Sequence, residues 1–145
     1  MNLITSWQFW AILSALFAAL TAIFAKVGVT EMDSNLATFV RTVVILCVLG
    51  VILIATDKLD WAAIIHASRK GLLFLLFSGM ATGASWLCYF RALSLGEASK
   101  VAPIDKLSVV FVALLGTALL GEELSALSWV GVVLIGVGAV VVALG

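Results

Sequence analysis

Five long apolar segments, separated by short polar links, organise the chain. They cover about residues 7–29, 36–55, 71–93, 100–121 and 127–144. An α-helix rises 1.5 Å per residue, so roughly 20 apolar residues cross the ~30 Å hydrocarbon core of a bilayer. The pattern therefore predicts an all-α integral membrane protein with five transmembrane helices in a single domain, residues 1–145. The first residues, MNLITS, are expected to lead into a retained first helix and not to form a cleaved signal.

The links contain signals for helix ends. Ser34 and Asn35 are candidate N-caps of the second helix, and Ser125 or Ser128 of the fifth. The stretch DWAAIIHASR, residues 60–69, predicts a short interfacial helix. Gly121 is expected to end the fourth helix.

The fourth helix contains the only proline of the chain. Pro103 is expected in its first turn, where a missing N–H group costs little.

The composition agrees with a lipid environment. Apolar residues make up 64% of the chain and charged residues 11%, against about 25% in soluble domains. A multi-pass protein of the inner or plasma membrane is therefore expected. Eight bases balance eight acids, which gives no reason to expect nucleic acid as a partner.

Few residues suggest catalysis or cofactor binding. Cys47 and Cys88 lie in apolar runs without metal-ligand spacing, and are interpreted as small buried hydrophobic residues. No nucleophile–base pair or phosphate-binding loop is recognisable, so we predict neither an enzyme nor a cofactor.

Small residues predict close helix packing. Gly79 and Gly83 form a GxxxG pattern in the third helix, and Gly131 and Gly136 lie in the fifth. Such residues let helix backbones approach each other in membranes.

Charged residues inside the apolar segments are the main candidates for function. A charge near the bilayer centre costs roughly 2.5–3.5 kcal/mol on insertion scales. The bases outnumber the single acid, which suggests an anionic substrate group or lipid headgroup nearby, or alternatively a structural ion-pair network. The charged candidates are Lys26, Arg41, Arg91, Asp105 and Lys106.

Several roles of these candidates stay open. Lys26 either reaches the headgroups or lines a cavity, and Trp86 either packs between helices or lines a ligand path with Tyr89. Asp105 and Lys106 are adjacent, so they are expected to point about 100° apart. One arrangement pairs Asp105 with Arg41 or Arg91, while Lys106 faces the cavity or a second subunit.

The basic residues give almost no orientation signal. Lys58, Arg69 and Lys70 lie on one side of the membrane, and Lys26, Arg91 and Lys100 on the other, with Arg41 and Lys106 deeper. The positive-inside rule needs an imbalance. The chain is therefore predicted to insert in both orientations.

Four short motifs resemble a known family. FVRTVVIL at residues 39–46, YFRAL at 89–93, VAPIDKLS at 101–108 and LGEELS at 120–125 are similar to the EamA-type domain of the drug/metabolite transporter superfamily. Their order over nearly the whole chain resembles its short five-span bacterial and archaeal branch.

The resemblance implies one half of a ten-helix inverted-repeat transporter, completed by an antiparallel homodimer. It also implies a secondary transporter that moves small polar or anionic metabolites by alternating access. The expected partners are a second copy, membrane lipid and a small-molecule substrate. The alternative is an accessory or lipid-carrier flippase subunit that pairs with a homologous membrane protein. The expected cavity residues are Arg41, Arg91, Asp105, Lys106, Lys26, Trp86 and Tyr89.

Overall fold

The computed structural model describes residues 6–145, which form helices joined by short links. The helices are α1 (Trp7–Glu31), α2 (Ser34–Ala55), α3 (Trp61–Ile65), α4 (Arg69–Leu95), α5 (Ala98–Asp105), α6 (Ser108–Leu115) and α7 (Ala126–Leu144), with a π-helical turn at Gly116–Leu120 after α6. Five segments are long and apolar enough to cross a membrane: α1, α2, α4, Ala98–Leu120 and α7. The predicted all-helical fold with five spans is confirmed. The expected lead-in at residues 1–5 lies outside the described residues.

The chain divides into two compact units. The terminal unit consists of the chain up to Val27 and of Leu95–Gly145, and the middle unit is Gly28–Ser94. In the terminal unit α7 packs against α5 and α6. A Cβ atom at Gly136 would lie 3.2 Å from Cγ2 of Val110, so the glycine permits this close approach.

The other predicted packing glycines have open space beside them. Apart from the neighbouring backbone of its own helix, a Cβ atom at Gly79, Gly83 or Gly131 would have no atom within 4 Å among the described residues. Their role in helix packing stays a prediction.

Polar side chains define several helix ends. The N-cap of α2 is Asp33, and not the predicted Ser34 or Asn35: the Asp33 carboxylate accepts hydrogen bonds from the amides of Asn35, at 2.9 Å, and Leu36, at 3.2 Å. A carboxylate suits this place because the helix N-terminus carries partial positive charge. Ser125 caps α7 by accepting a bond from the Ser128 amide at 3.1 Å.

Gly121 terminates the fourth span as predicted. Its φ of 68° is left-handed, a conformation that glycine adopts without steric cost.

The fourth span is interrupted, which the apolar pattern did not indicate. Between α5 and α6, Lys106 and Leu107 form a tight turn in which the Lys106 amide donates to the Pro103 carbonyl at 3.0 Å. Because α5 begins at Ala98, Pro103 lies inside this helix, and the prediction that it lies in the first turn was wrong. The Leu107 amide donates in the same way to the Ile104 carbonyl at 3.0 Å, so two successive i→i−3 bonds tighten the chain at this point.

Most large apolar side chains are exposed on the isolated chain. The buried apolar residues among those described are Ala22, Ala25, Val29, Ala37, Phe90, Leu93 and Ala139. Cys47 and Cys88 are exposed, so the prediction that they are buried was wrong. The reason is that a membrane helix can turn apolar residues outward, because lipid is as apolar as a protein core.

Candidate functional site

A polar stripe lies along the first turns of α2. Ser34, Thr38 and Arg41 follow each other at intervals of four and three residues, which places them on one helix face. Ser34 and Thr38 are buried, and Arg41 is partly buried. The Thr38 hydroxyl donates to the Ser34 carbonyl at 2.8 Å, so this hydroxyl hydrogen is used within the helix. Arg41 is therefore the stripe's charged donor for a group outside α2.

An aromatic surface on α4 lies in the same unit. Trp86 and Phe90 are four residues apart, so they occupy one face of the helix. Phe90 is only 2% exposed, and its ring meets that of Tyr89 edge-on, with centroids 6.4 Å apart.

Arg41 lies over this aromatic surface. Its guanidinium carbon is 4.2 Å from the centre of the Trp86 ring and 5.4 Å from the centre of the Phe90 ring. Tyr89 joins this surface through its edge-on ring contact with Phe90. We call these four residues the Arg41 cluster. The structure thus brings together three predicted cavity residues, Arg41, Trp86 and Tyr89.

The Arg41 cluster contains an unpaired positive charge. Among residues 6–145 the recorded ion pair joins Asp105 and Lys106, and no carboxylate is paired with Arg41. A guanidinium group stacks on rings through its flat face, while its N–H donors point outward in its plane. Stacking therefore leaves donors of Arg41 available for a planar anion.

Phe90 was not among the predicted cavity residues. The signal was present, because Phe90 follows Trp86 by four residues and therefore shares its face.

Arg91 does not share the face of Phe90. Adjacent residues on a helix are about 100° apart, and the Arg91 side chain is exposed. Its role in a cavity stays a prediction.

Asp105 and Lys106 pair with each other. Lys106 Nζ lies 3.2 Å from an Asp105 carboxylate oxygen. The predicted arrangement, in which Lys106 turns away from Asp105 toward a cavity or a second subunit, is therefore not the one observed. The lysine side chain is long and flexible enough to bend back to its neighbour.

Lys26 binds a backbone carbonyl group. Its ammonium donates a hydrogen bond to the Gly96 carbonyl at 2.8 Å, in the link between α4 and α5. Sequence reasoning considered headgroups and a cavity, and did not consider a backbone carbonyl.

Metal ligation finds no support in the described part of the chain. No group of three or more His, Cys, Asp or Glu residues there is placed to hold a metal ion.

The helices and their apolar surfaces define a multi-pass membrane protein. The model of the EamA-like transporter family matches residues 5–144, so the chain belongs to this family and is a membrane transporter. The resemblance seen in the sequence motifs is thereby confirmed.

A similar protein from a Sinorhizobium species carries the name "Uncharacterized transporter in cobO 3'region". It is 56% identical over 138 residues, which cover 95% of this chain and 96% of the relative. No solved structure matches the chain. Both the family and the relative point to transport and not to catalysis.

Proposed function

We propose that the protein is a secondary transporter that moves small anionic or polar metabolites by alternating access, and that the Arg41 cluster binds an acidic group of the substrate. The observation that carries the proposal is the guanidinium of Arg41, which lies on two aromatic rings inside a membrane span and has no acidic partner in residues 6–145.

The energies favour a ligand at this guanidinium. A charged side chain in a span costs roughly 2.5–3.5 kcal/mol, whereas a cation–π contact returns about 0.5–2 kcal/mol. Part of the cost is therefore left for water or an anion to offset. A carboxylate or phosphate that accepts two parallel N–H bonds would make the strongest such contact.

The remaining predicted cavity residues complete the proposal. Arg91 adds positive charge near the substrate path, and Asp105 and Lys106 line it as a neutral pair, whereas Lys26 supports the fold through its bond to the Gly96 carbonyl. The second half of the transporter is an antiparallel copy of the same chain. Family membership and the nearly even distribution of bases between the two membrane faces support this arrangement.

The test is flux into liposomes that contain the purified protein. A panel of isotope-labelled carboxylates, amino acids and phosphate esters is offered with and without a proton gradient. For any compound that is transported, Arg41→Ala is expected to lower the apparent affinity at least tenfold, because a hydrogen bond to a charged group contributes about 1.5–3 kcal/mol. Arg41→Lys keeps the charge but not the fork of donors, so its apparent affinity should lie between those of the wild type and Arg41→Ala.

Arg69→Ala is the matched control, because Arg69 is exposed at the start of α4 and lies outside the Arg41 cluster. Circular dichroism and gel filtration establish that each variant is folded. Wild-type affinity of folded Arg41→Ala for the transported anion would exclude Arg41 from substrate binding.

The antiparallel homodimer needs a separate measurement. Met32 is exposed in the first link. In a variant without Cys47 and Cys88, Met32→Cys is expected to react with an impermeant maleimide from both sides of the membrane in comparable amounts. Labelling from one side alone would contradict the homodimer, and would favour an accessory or lipid-carrier flippase subunit with a homologous partner.

A further inference from the structure

An apolar groove lies at the end of the fourth span, within the terminal unit. Its volume is about 290 Å³. It is lined by Val112, Leu115, Gly116, Leu119, Leu120 and Glu122. We call it the Glu122 groove, since Glu122 is the charged residue among the described residues that line it.

The backbone around Gly116 shapes the groove. In the π-helical turn, the Gly116 carbonyl accepts hydrogen bonds from the amides of both Gly121 and Glu122, the latter at 3.2 Å. The left-handed Gly121 then reverses the chain direction, which brings Glu122 back beside the last turns. π-helical turns are rare and are frequent at functional sites.

Gly116 lets the Glu122 side chain fold inward. A Cβ atom at this buried glycine would lie 2.8 Å from Oε2 of Glu122, which is closer than real Cβ contacts. The carboxylate thus rests on the bare backbone of the helix. Any larger residue at position 116 would push it away.

The Glu122 carboxylate has no cationic partner among residues 6–145. It lies next to five apolar or side-chain-free residues, at the end of a segment long enough to cross the membrane. Helix ends of this kind lie near the level of the lipid headgroups. A ligand that fits has an alkyl part for the groove and a cation at its polar end.

We propose that the Glu122 groove binds one membrane lipid whose headgroup carries a primary ammonium, as ethanolamine phospholipids do. One acyl chain lies against Leu115 and Leu119, and the ammonium donates to the Glu122 carboxylate. A primary ammonium has three N–H donors, whereas the quaternary ammonium of a choline headgroup has none. The site is separate from the Arg41 cluster, and the proposal does not depend on the transported substrate.

The lining favours a lipid with a cationic headgroup, because it combines apolar residues with one carboxylate. An alkyl chain is also narrow enough to lie in a groove of about 290 Å³.

The experiment measures bound lipid by native mass spectrometry. Purified protein is equilibrated in micelles with equimolar dioleoyl phosphatidylethanolamine, phosphatidylcholine and phosphatidylglycerol. The wild type is expected to retain the ethanolamine lipid at least fivefold over the choline lipid. Glu122→Gln should abolish this preference, because a neutral amide does not attract the ammonium.

Glu123→Gln is the matched control, since it removes the same charge one residue away and Glu123 does not line the groove. It should keep the fivefold preference. Val112→Trp leaves the carboxylate in place but fills the groove, and is expected to lower the retention of all three lipids. This second variant tests the groove even where Glu122→Gln does not fold.

Three results would overturn the proposal. The first is equal retention of ethanolamine and choline lipids by the wild type. The second is a preference that is the same in Glu122→Gln and Glu123→Gln. The third is a complete disulfide cross-link between two copies of Leu119→Cys, which would show that a second chain occupies the groove.

Discussion

The Arg41 cluster and the Asp105–Lys106 pair place charge in membrane spans in different ways. Arg41 stacks on Trp86 and Phe90 and has no acidic partner in the described chain. Asp105 and Lys106 lie 3.2 Å apart and neutralise each other, with 35% and 55% of their side chains exposed. From the sequence, both sites place charged residues in membrane spans at a similar free-energy cost, but only the Arg41 cluster has a net charge. A net charge is what an ionic substrate recognises, so the first site is the better candidate for binding.

The pair has a smaller capacity to discriminate ligands. Exposed ion pairs contribute about 0.2–1 kcal/mol, and adjacent residues form them without fixing any distant element. The Arg41 cluster, in contrast, joins α2 to α4 and presents donors in a defined plane. Three substitutions test this difference.

Removal of the aromatic support should have the largest effect of the three. Trp86→Ala is expected to lower apparent substrate affinity about two- to thirtyfold in the liposome assay, because a cation–π contact contributes about 0.5–2 kcal/mol. Trp86→Phe should lose less, since it keeps an aromatic face. The control is Trp61→Ala in α3, an exposed residue outside the cluster. Unchanged affinity in Trp86→Ala would show that stacking does not orient Arg41 for binding.

Breaking the ion pair should have a moderate effect. Asp105→Asn leaves Lys106 unpaired, and is expected to lower flux by at most about fivefold. The double variant Asp105→Asn with Lys106→Gln restores neutrality, so its flux should exceed that of the single variant. Lower flux in the double variant than in either single one would mean that each charge acts on the substrate itself.

Loss of the Lys26 contact should affect stability and not selectivity. Lys26→Met removes the bond to the Gly96 carbonyl, and is expected to lower the free energy of unfolding by about 1 kcal/mol, within the range for polar contacts between membrane helices. Reversible unfolding in mixed micelles measures this change. Lys58→Met, in the exposed second link, is the control and should unfold like the wild type. A selective change in anion affinity without loss of stability would place Lys26 in the substrate path instead.

The five spans were predictable because the length of an apolar segment depends on local composition alone. The end at Gly121 and the cap at Ser125 were predictable because glycine and serine are preferred at helix ends. Asp33 was missed as a cap because capping depends on the backbone angles of one residue, and three neighbouring polar residues compete for the position.

The partners of the embedded charges were less predictable. Sequence spacing gives the direction in which a side chain leaves its helix, but long side chains bend. Lys106 turned back to its neighbour, and Lys26 reached a carbonyl 70 residues away.

The π-helical turn at Gly116–Leu120 leaves the apolar pattern unchanged, so hydropathy could not reveal the turn or the groove beside it. Trp86 and Arg41, by contrast, were both predicted as cavity residues from the sequence, and the structure adds that they contact each other.

The bond between Lys26 and Gly96 also has a consequence for biosynthesis. Its two ends are 70 residues apart, and ribosomes add about 5–20 residues per second, so α1 waits about 4–14 s before its carbonyl partner has been synthesised. This contact therefore cannot help to hold α1 while α2 and α4 are being synthesised, and it can form only after the link between α4 and α5 has been added.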